Sequence, residues 1–324
     1  MQLVTLDQLR QHFDHDAVIA AVRAAFIGHA RGAYVVAPPG QLLFESPPGD
    51  CHIKYGYAKD GPVFVIKVAA GFYDNPTLGL PVNSGVVLVC SRTTGVPVAL
   101  LQDDGWLTSW RTAAAGALAA SLVAARHPEV LGVFGAGHQA ELQATWIARE
   151  LGLREVRIWA RRQERAAALA ATLSAGGLNA RACATTDAVL AEARVIVTTT
   201  PGQRPLFPAD EVRAGTHVVA MGADSPGKQE LDPALFARAQ LVVTDDRAQC
   251  VDHGDLFHAV AAGLVRADAN ESLGQLLAEP GRVQLDAAAI SIVDLTGIPA
   301  QDVAMATAMC RALGLLSAAG EPAT

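Results

Sequence analysis

Lys54, Lys67, Arg111 and Asp224 are the residues whose type and setting most invite chemistry. Lysine is scarce: only Lys54, Lys59, Lys67 and Lys228 stand against twenty-one arginines. Lys67 lies inside the apolar run "FVIKVAAGF" and Lys54 inside "HIKYGY", both with the make-up of β-strands. A lysine within an apolar strand is costly unless it is paired or used. Arg111, in "LTSWRTAAAG", is expected in the first turn of a long helix. The helix dipole opposes a cation there but favours an anion held beside it. Two such cations converging on one spot make a carboxylate clamp, and Lys54 can join them. Each taken alone reads equally well as an edge-strand side chain reaching water. Together, and next to a nucleotide domain, they favour the clamp.

Asp224 follows the apolar run "THVVAM" in a turn that contains Pro226, Gly227 and Lys228. In an open parallel sheet, ligands bind outside the carboxyl ends of the strands. An aspartate at such an end can stabilise an iminium cation or shuttle a proton. Lys228, four residues on, can orient that aspartate or touch a cofactor amide. The other reading of Asp224 is a helix cap ahead of "PGKQELDPALF".

The elements that must position these groups fall into two rhythms. Early on, "TLDQLRQHF" and "DAVIAAVRAAFIGHA" have helical spacing, with Thr5 and Asp14 as caps. The short runs "QLLFE", "CHIKYGY", "PVFVIKVA", "SGVVLVCS" and "PVALLQ" follow, split by Pro, Gly, Asn and Asp turns, and predict a meander. "LTSWRTAAAGALAASLVAARH" predicts a long helix. From residue 130, apolar strands alternate with helices: "VLGVFG", "EVRIWA", "ARVIVTTT", "THVVAMG", "AQLVVTD" and "AISIVDL". Near-continuous apolar strands in such alternation mark a parallel sheet covered on both faces. The fold class expected is α/β, a doubly wound Rossmann sheet plus an α+β domain. The division expected is 1–126 with 300–324 for the α+β domain and 127–299 for the Rossmann domain.

"GVFGAGHQA" sets Gly135, Gly137 and Ala140 in G-x-G-x-x-A spacing between a strand and a helix. Gly135 suits a tight turn, Gly137 a close approach to pyrophosphate, and Ala140 helix–strand packing. An NAD enzyme usually presents an acid at the end of the second strand. This chain has Ala160, Arg161 and Arg162 there. Two guanidiniums without a carboxylate suit a 2′-phosphate, so NADP(H) is favoured, with NAD(H) as the alternative. Solvated helix-start charges are the other reading of these arginines.

The bulk numbers exclude several classes. A formal charge of −7 without a basic stripe argues against nucleic acid. Five scattered cysteines without C-x-x-C spacing suit reduced cytosolic thiols and argue against a disulfide scaffold or a metal site. Neither a basic-then-apolar leader nor an apolar run of membrane-spanning length is read, so a soluble cytoplasmic protein is expected.

The runs "FYDNP", "TGVPVALLQDDGWLTSWRTAAAGALAA", "GVFGAGHQA", "VRIWARR", "TTTP", "MGADSPGKQEL" and "DLTGIPAQD" together resemble the ornithine cyclodeaminase/μ-crystallin family, from about residue 30 to 310. The resemblance implies a homodimer whose N-terminal region and final helix form a substrate and dimerisation domain. It implies a small imino- or amino-acid substrate, with Lys67 and Arg111 on its carboxylate and Asp224 and Lys67 in catalysis. Cofactor contacts would fall on Gly135, Gly137, His138, Gln139, Thr200, Met221, Lys228 and Thr296. Two departures stand out: cyclodeaminases carry a glutamate at Lys54, and an arginine in the strand region where this chain has Gly40. A lysine at 54 repels the distal ammonium of ornithine and can replace the missing arginine. The activity expected is therefore NAD(P)H-dependent reduction of a ketimine such as Δ1-pyrroline-2-carboxylate, or amino-acid dehydrogenation. Ornithine cyclodeamination and non-catalytic NADPH binding of μ-crystallin type are the alternatives.

Overall fold

A computed structural model describes residues 1–12, 14–72, 74–123 and 126–316. Tyr73 of the "FYDNP" run, Ala124 and Ala125 of the expected long helix, and the last eight residues of the expected 300–324 segment lie outside the described residues. The chain forms two units: residues 1–111 with those from 298 onward, and residues 112–297. The division between them falls at Arg111–Thr112, inside a helix.

The first unit contains β1 (Gln2–Val4), α1 (Leu6–Gln11), α2 (His15–Ala30), β2 (Tyr34–Val36), β3 (Gly40–Phe44), β4 (Gly49–Ala58), β5 (Val63–Phe72), β6 (Asn83–Ser91) and β7 (Pro97–Leu101). It also holds the start of α3 (Trp106–Ser121) and a last helix, Pro299–Ala312. The strands run β1-β7-β6-β5-β4-β2, with β3 also paired to β4. From β4 to β7 the pairing is antiparallel, the meander expected from the short turns. β1 joins β7 in parallel, an edge that three residues of sequence do not announce. Asp14 Oδ1 accepts the Ala17 N–H at 2.7 Å, so that expected cap forms; Thr5 holds the N-cap position of α1, where Gln8 Oε1 accepts the Thr5 backbone N–H at 2.9 Å.

Strand alternation decides where Lys67 goes. Val63 and Val65 of β5, and Val87 and Val89 of β6, are buried. Period two places Lys67 on the face of Val63 and Val65. The last helix packs over β4 and β5 on one side and against α2 on another.

The second unit continues with β8 (Val130–Phe134), α4 (His138–Leu151), β9 (Glu155–Trp159), α5 (Gln163–Ala175), β10 (Asn179–Ala182), α6 (Thr186–Glu192), β11 (Val195–Thr198) and β12 (His217–Ala220). After these come α7 (Pro233–Arg238), β13 (Ala239–Thr244), α8 (Arg247–His253), α9 (Asp255–Ala261), β14 (Glu271–Ser272), α10 (Leu273–Ala278) and β15 (Ile290–Asp294), so that the last helix of the chain is α11. All eight strands are parallel, in the order β10-β9-β8-β11-β12-β15-β13-β14. The order reverses at β8 and β11, the switch point at which Rossmann folds bind dinucleotides. Phe134, Ile196, Phe207, Val218, Leu235, Phe236 and Ile292 belong to its apolar core. Among the described residues no helix is long and apolar enough to cross a membrane.

The fold corrects one placement. The helix carrying Arg111 begins at Trp106, because the Asp103 Oδ2 atom accepts the Leu107 N–H at 2.9 Å and the Asp103 carbonyl accepts that of Trp106 at 2.8 Å. Arg111 therefore sits in the second turn, where the opposing dipole has already faded. Its position depends on the partners described below.

Ile196 is fully buried in a central strand. Ile196→Ala is expected to lower the free energy of unfolding by about 2–5 kcal/mol, read from urea denaturation.

Candidate active site

In the first unit the expected cations do come together, around an acid to which the sequence reading had given no role. Lys54 and Lys67 are directly opposed on β4 and β5, so their side chains leave the same face of the sheet. Lys67 is 2% and Lys54 7% exposed. Asp302, in the first turn of α11, accepts a hydrogen bond from Lys67 Nζ at 2.8 Å and lies 3.5 Å from Arg111 Nε. Arg111 Nη1 also approaches Gln301 Oε1 at 3.5 Å, the oxygen that accepts the Ile298 N–H at 3.1 Å. Among the described residues, Arg111 Nε, Gln301 Nε2 and Asp302 Oδ2 are buried without a hydrogen-bond partner. Buried polar groups are rarely left so. Two donors and a carboxylate oxygen are thus available to a small polar ligand.

The electrostatics follow from crowding. Burial lowers the Lys67 pKa to about 7; Asp302 opposes that shift, while Arg111 and Lys54 add to it. Burial alone would raise Asp302, but Lys67, Arg111 and Lys54 outweigh it and hold its carboxyl below the usual range. Asp103, which also feels Lys67, is raised by its own burial.

The second unit carries the glycine signature. Gly135 has φ +130, and a Cβ there would lie 2.5 Å from Thr199 Oγ1, so the close turn after β8 needs glycine. Gly137 caps α4, and a Cβ built on it meets no atom within 4 Å. His138, Gln139 and Ala140 form the first turn of α4, whose N–H groups have no carbonyl partner inside the helix. Ala140 is fully buried. Gln143 bridges Gln139 Oε1 and the Thr112 carbonyl, tying this turn to α3. An open cradle before a helix N-terminus fits a pyrophosphate. Past β9, Arg161 and Arg162 are exposed, and among the described residues neither forms an ion pair.

The turn after β12 is tied from below by Glu230, to which the sequence reading had also given no role. Glu230 Oε2 accepts from Thr198 Oγ1 at 2.6 Å and the Gly222 N–H at 2.7 Å; its Oε1 accepts from the Thr200 N–H at 2.5 Å and Thr200 Oγ1 at 2.8 Å. Burial and then Asp255 raise its pKa to about 7, against the pull of those donors. One carboxyl thereby joins the ends of β11 and β12, which carry Thr200 and Met221. Asp224 stands above this tie, its side chain 44% exposed. Lys228 Nζ donates to Asp224 Oδ1 at 2.6 Å, and Ser225 Oγ at 3.1 Å. The helix that follows this turn, α7, is capped by Asp232 rather than by Asp224. Thr296 is buried at the end of β15, where Asp245 accepts its N–H at 3.1 Å and the Gly297 N–H at 2.7 Å. Among the described residues no cluster of ligating side chains suited to a metal ion is present.

Signals for the missed residues were in view. Asp302 is the acid of "GIPAQD" and Glu230 that of "GKQEL", each standing in an otherwise apolar or turn-forming run.

A Rossmann sheet with this cradle, accompanied by a buried cation cluster on a meander sheet, defines a two-unit dinucleotide-binding protein. The chain belongs to the ornithine cyclodeaminase/mu-crystallin family, whose family model matches residues 2–312. It is 39% identical over 318 residues to an uncharacterized cyclodeaminase of Sinorhizobium fredii, covering 95% of this chain and 94% of that one. It is 36% identical over 298 residues to the iminosuccinate reductase of Paracoccus denitrificans, covering 91% of each. The structure of that reductase in complex with NAD+ matches with a TM-score of 0.87 over 97% of this chain and 96% of that one, at 34% identity. An archaeal alanine dehydrogenase dimer with bound NAD matches with a TM-score of 0.88 over 96% and 95%, at 30% identity.

Two outcomes follow from the geometry. A carboxylate held by Lys67 needs the charged amine. Above pH 7 the free protein loses that proton while the complex retains it, so the dissociation constant of an unreactive carboxylate such as lactate should rise towards about tenfold per pH unit. Calorimetric titration between pH 6 and 9 checks this, with Lys67→Met removing the dependence. Glu230→Gln puts an amide N–H against donors and is expected to destabilise the protein by about 1–3 kcal/mol, read from urea denaturation.

Proposed function

We propose that this chain reduces the C=N bond of a small imino acid, or oxidises the corresponding amino acid, with a nicotinamide coenzyme. The observation that carries the reading is the buried group of Lys54, Lys67, Arg111 and Asp302, with donors left open for a carboxylate. Relatives named as reductases and dehydrogenases of imino and amino acids support it. Residues 1–111 with α11 serve as the substrate and dimerisation domain, and residues 112–297 as the cofactor domain.

Gly135, Gly137 and the first turn of α4, His138 and Gln139 included, would hold the coenzyme, with Thr200, Met221, Lys228 and Thr296 at the other strand ends. Bound there, it would supply the hydride for the imine carbon while a proton goes to the nitrogen. Lys67 and Arg111 bind and orient the α-carboxylate, with Lys54 adding positive charge, which fixes the imine carbon in register. Asp224 stabilises the iminium and passes the proton at its nitrogen, and Lys228 holds the Asp224 carboxylate in place. Ornithine fits poorly, because a distal ammonium would meet Lys54 and Lys67.

Arg161 and Arg162, with no acid before them, favour NADP(H) over NAD(H). The relatives of known structure named above hold NAD or NAD+, so the choice turns on this chain's own second strand. The dimeric archaeal relative supports a homodimer here.

Purified protein given NADPH and a cyclic imino acid such as Δ1-pyrroline-2-carboxylate should consume NADPH stoichiometrically, and should release no ammonia from ornithine; the reverse pair of results overturns the reading. Asp224→Asn should lower kcat by about 10²–10⁴ with the NADPH dissociation constant unchanged. Arg161→Glu together with Arg162→Glu should raise KM for NADPH by about tenfold or more and leave that for NADH in place.

A further inference from the structure

The turn that carries Asp224 and Lys228 is anchored on its rising limb by Glu230, which accepts the Gly222 N–H at 2.7 Å. Its tip stands clear: Gly227 has φ +82, and a Cβ built there meets no atom within 4 Å. The falling limb, Lys228 to Leu231, is held by α9. Asp255 Oδ1 accepts the N–H groups of Glu230 and Leu231, each at 2.8 Å. His258, three residues further along that helix, donates from Nε2 to the Lys228 carbonyl at 2.8 Å. Residues three apart share a helix face, so both side chains reach the limb from one turn of α9. Gln229, between them, gives its N–H to the Gly202 carbonyl at 2.8 Å. The bond from His258 is the outermost of these anchors, and it falls on the residue whose ammonium donates to Asp224 at 2.6 Å.

The helix that offers this bond is firmly seated. Leu256 and Ala259 are fully buried, and Asp294 Oδ2 accepts the Leu256 N–H at 2.9 Å. His258 itself is half-buried. A carbonyl can only accept, so Nε2 carries the proton. Protonation at Nδ1 leaves that N–H in place, so the bond persists in the neutral and the charged ring alike. Such a ring is suited to holding a backbone in place rather than to moving a proton.

We propose that His258 is a positioning residue for the Asp224–Lys228 pair: by fixing the Lys228 carbonyl it sets where the Lys228 ammonium meets Asp224, and so where Asp224 stands toward an imine nitrogen. The catalytic part of this rests on the reductase reading above; the holding of the pair does not.

Two amides separate the role by reach. The amide nitrogen of glutamine extends about as far as the imidazole Nε2, that of asparagine only as far as Nδ1. In the full chain with NADPH and Δ1-pyrroline-2-carboxylate, His258→Asn should lower kcat by about 10–100-fold, because a small misplacement of a catalytic group is enough to do so. The KM for the imino acid and the number of NADPH sites per chain should stay as in the wild type, the latter counting folded protein. His258→Gln should keep most of the rate, with an unaltered pH profile. In the Asp224→Asn background the same His258→Asn change should cost little, since a residue that acts through Asp224 has nothing left to position. A wild-type rate in His258→Asn, an equal loss in the two amides, or a full further loss beside Asp224→Asn overturns the proposal and leaves the reductase reading in place.

A second readout needs no substrate. Lys228 Nζ, held on Asp224, is slowed in its methylation by formaldehyde and a borane, and mass spectrometry compares it with the exposed Lys59. The ratio of Lys228 to Lys59 labelling should rise roughly two- to fivefold in His258→Asn and stay at the wild-type value in His258→Gln. If the wild-type chain reduces no imine, the reductase reading falls and the labelling decides: a rise confined to His258→Asn supports the holding of the pair, and an unchanged ratio overturns it.

Discussion

The pairing of Lys67 with Asp302 is the contact on which the first unit turns. Lys67 occupies a slot on β5 that alternation reserves for an apolar side chain, and it is buried there among valines. Without an acid over it, an ammonium so placed would deprotonate or drag water into the sheet. α11 brings that acid, and in doing so is pinned across β4 and β5. The same oxygen draws in Arg111 from α3. One carboxylate therefore fixes a strand, the end helix and the helix that leads into the second unit. Replacing the group by hydrocarbon would be an easier way to fill the space. That the chain keeps it is best understood through what the group can bind.

Glu230 plays a comparable part in the second unit. Four donors from Thr198, Thr200 and Gly222 converge on its two oxygens, joining the ends of β11 and β12. Asp255 in turn accepts the backbone N–H groups of Glu230 and Leu231, each at 2.8 Å, and Asp245 secures Thr296 and Gly297. Buried acids thus hold the loops at the carboxyl edge of the sheet from within. Asp224 and Lys228, paired with each other, ride on a turn whose backbone is anchored in this way.

Much of this was legible in the residues. Alternation and short turns gave β4 to β7, and unbroken apolar runs followed by helices gave the Rossmann core, because both signals are local. Lys54, Lys67 and Arg111 stood out because each is a charge where burial or a dipole disfavours one, and Asp224 because it follows an apolar strand at the edge where ligands bind. The parallel edge strand β1 and the short strands β10 and β14 were not legible, since two to four residues pair only where an existing edge receives them. Asp302 escaped for a different reason. Its partner lies 235 residues away, and only the packing of α11 on the sheet makes it part of the site. α3 starts at Trp106, ahead of the "LTSW" run from which it was expected, and Arg111 lies in its second turn rather than its first.

That separation has a bearing on how the chain comes into being. Translation delivers Lys67 and the whole meander first, then the entire Rossmann unit, and Asp302 only after both. During that interval the nascent sheet exposes the face that α11 will cover, with two opposed lysines and no counter-charge from the helix. Those lysines keep the waiting surface hydrated and ill-suited to association with neighbouring chains, as inward-pointing charges do on exposed sheets. Two buried charges of the finished sheet thus act as gatekeepers during synthesis, until the last helix arrives to close it.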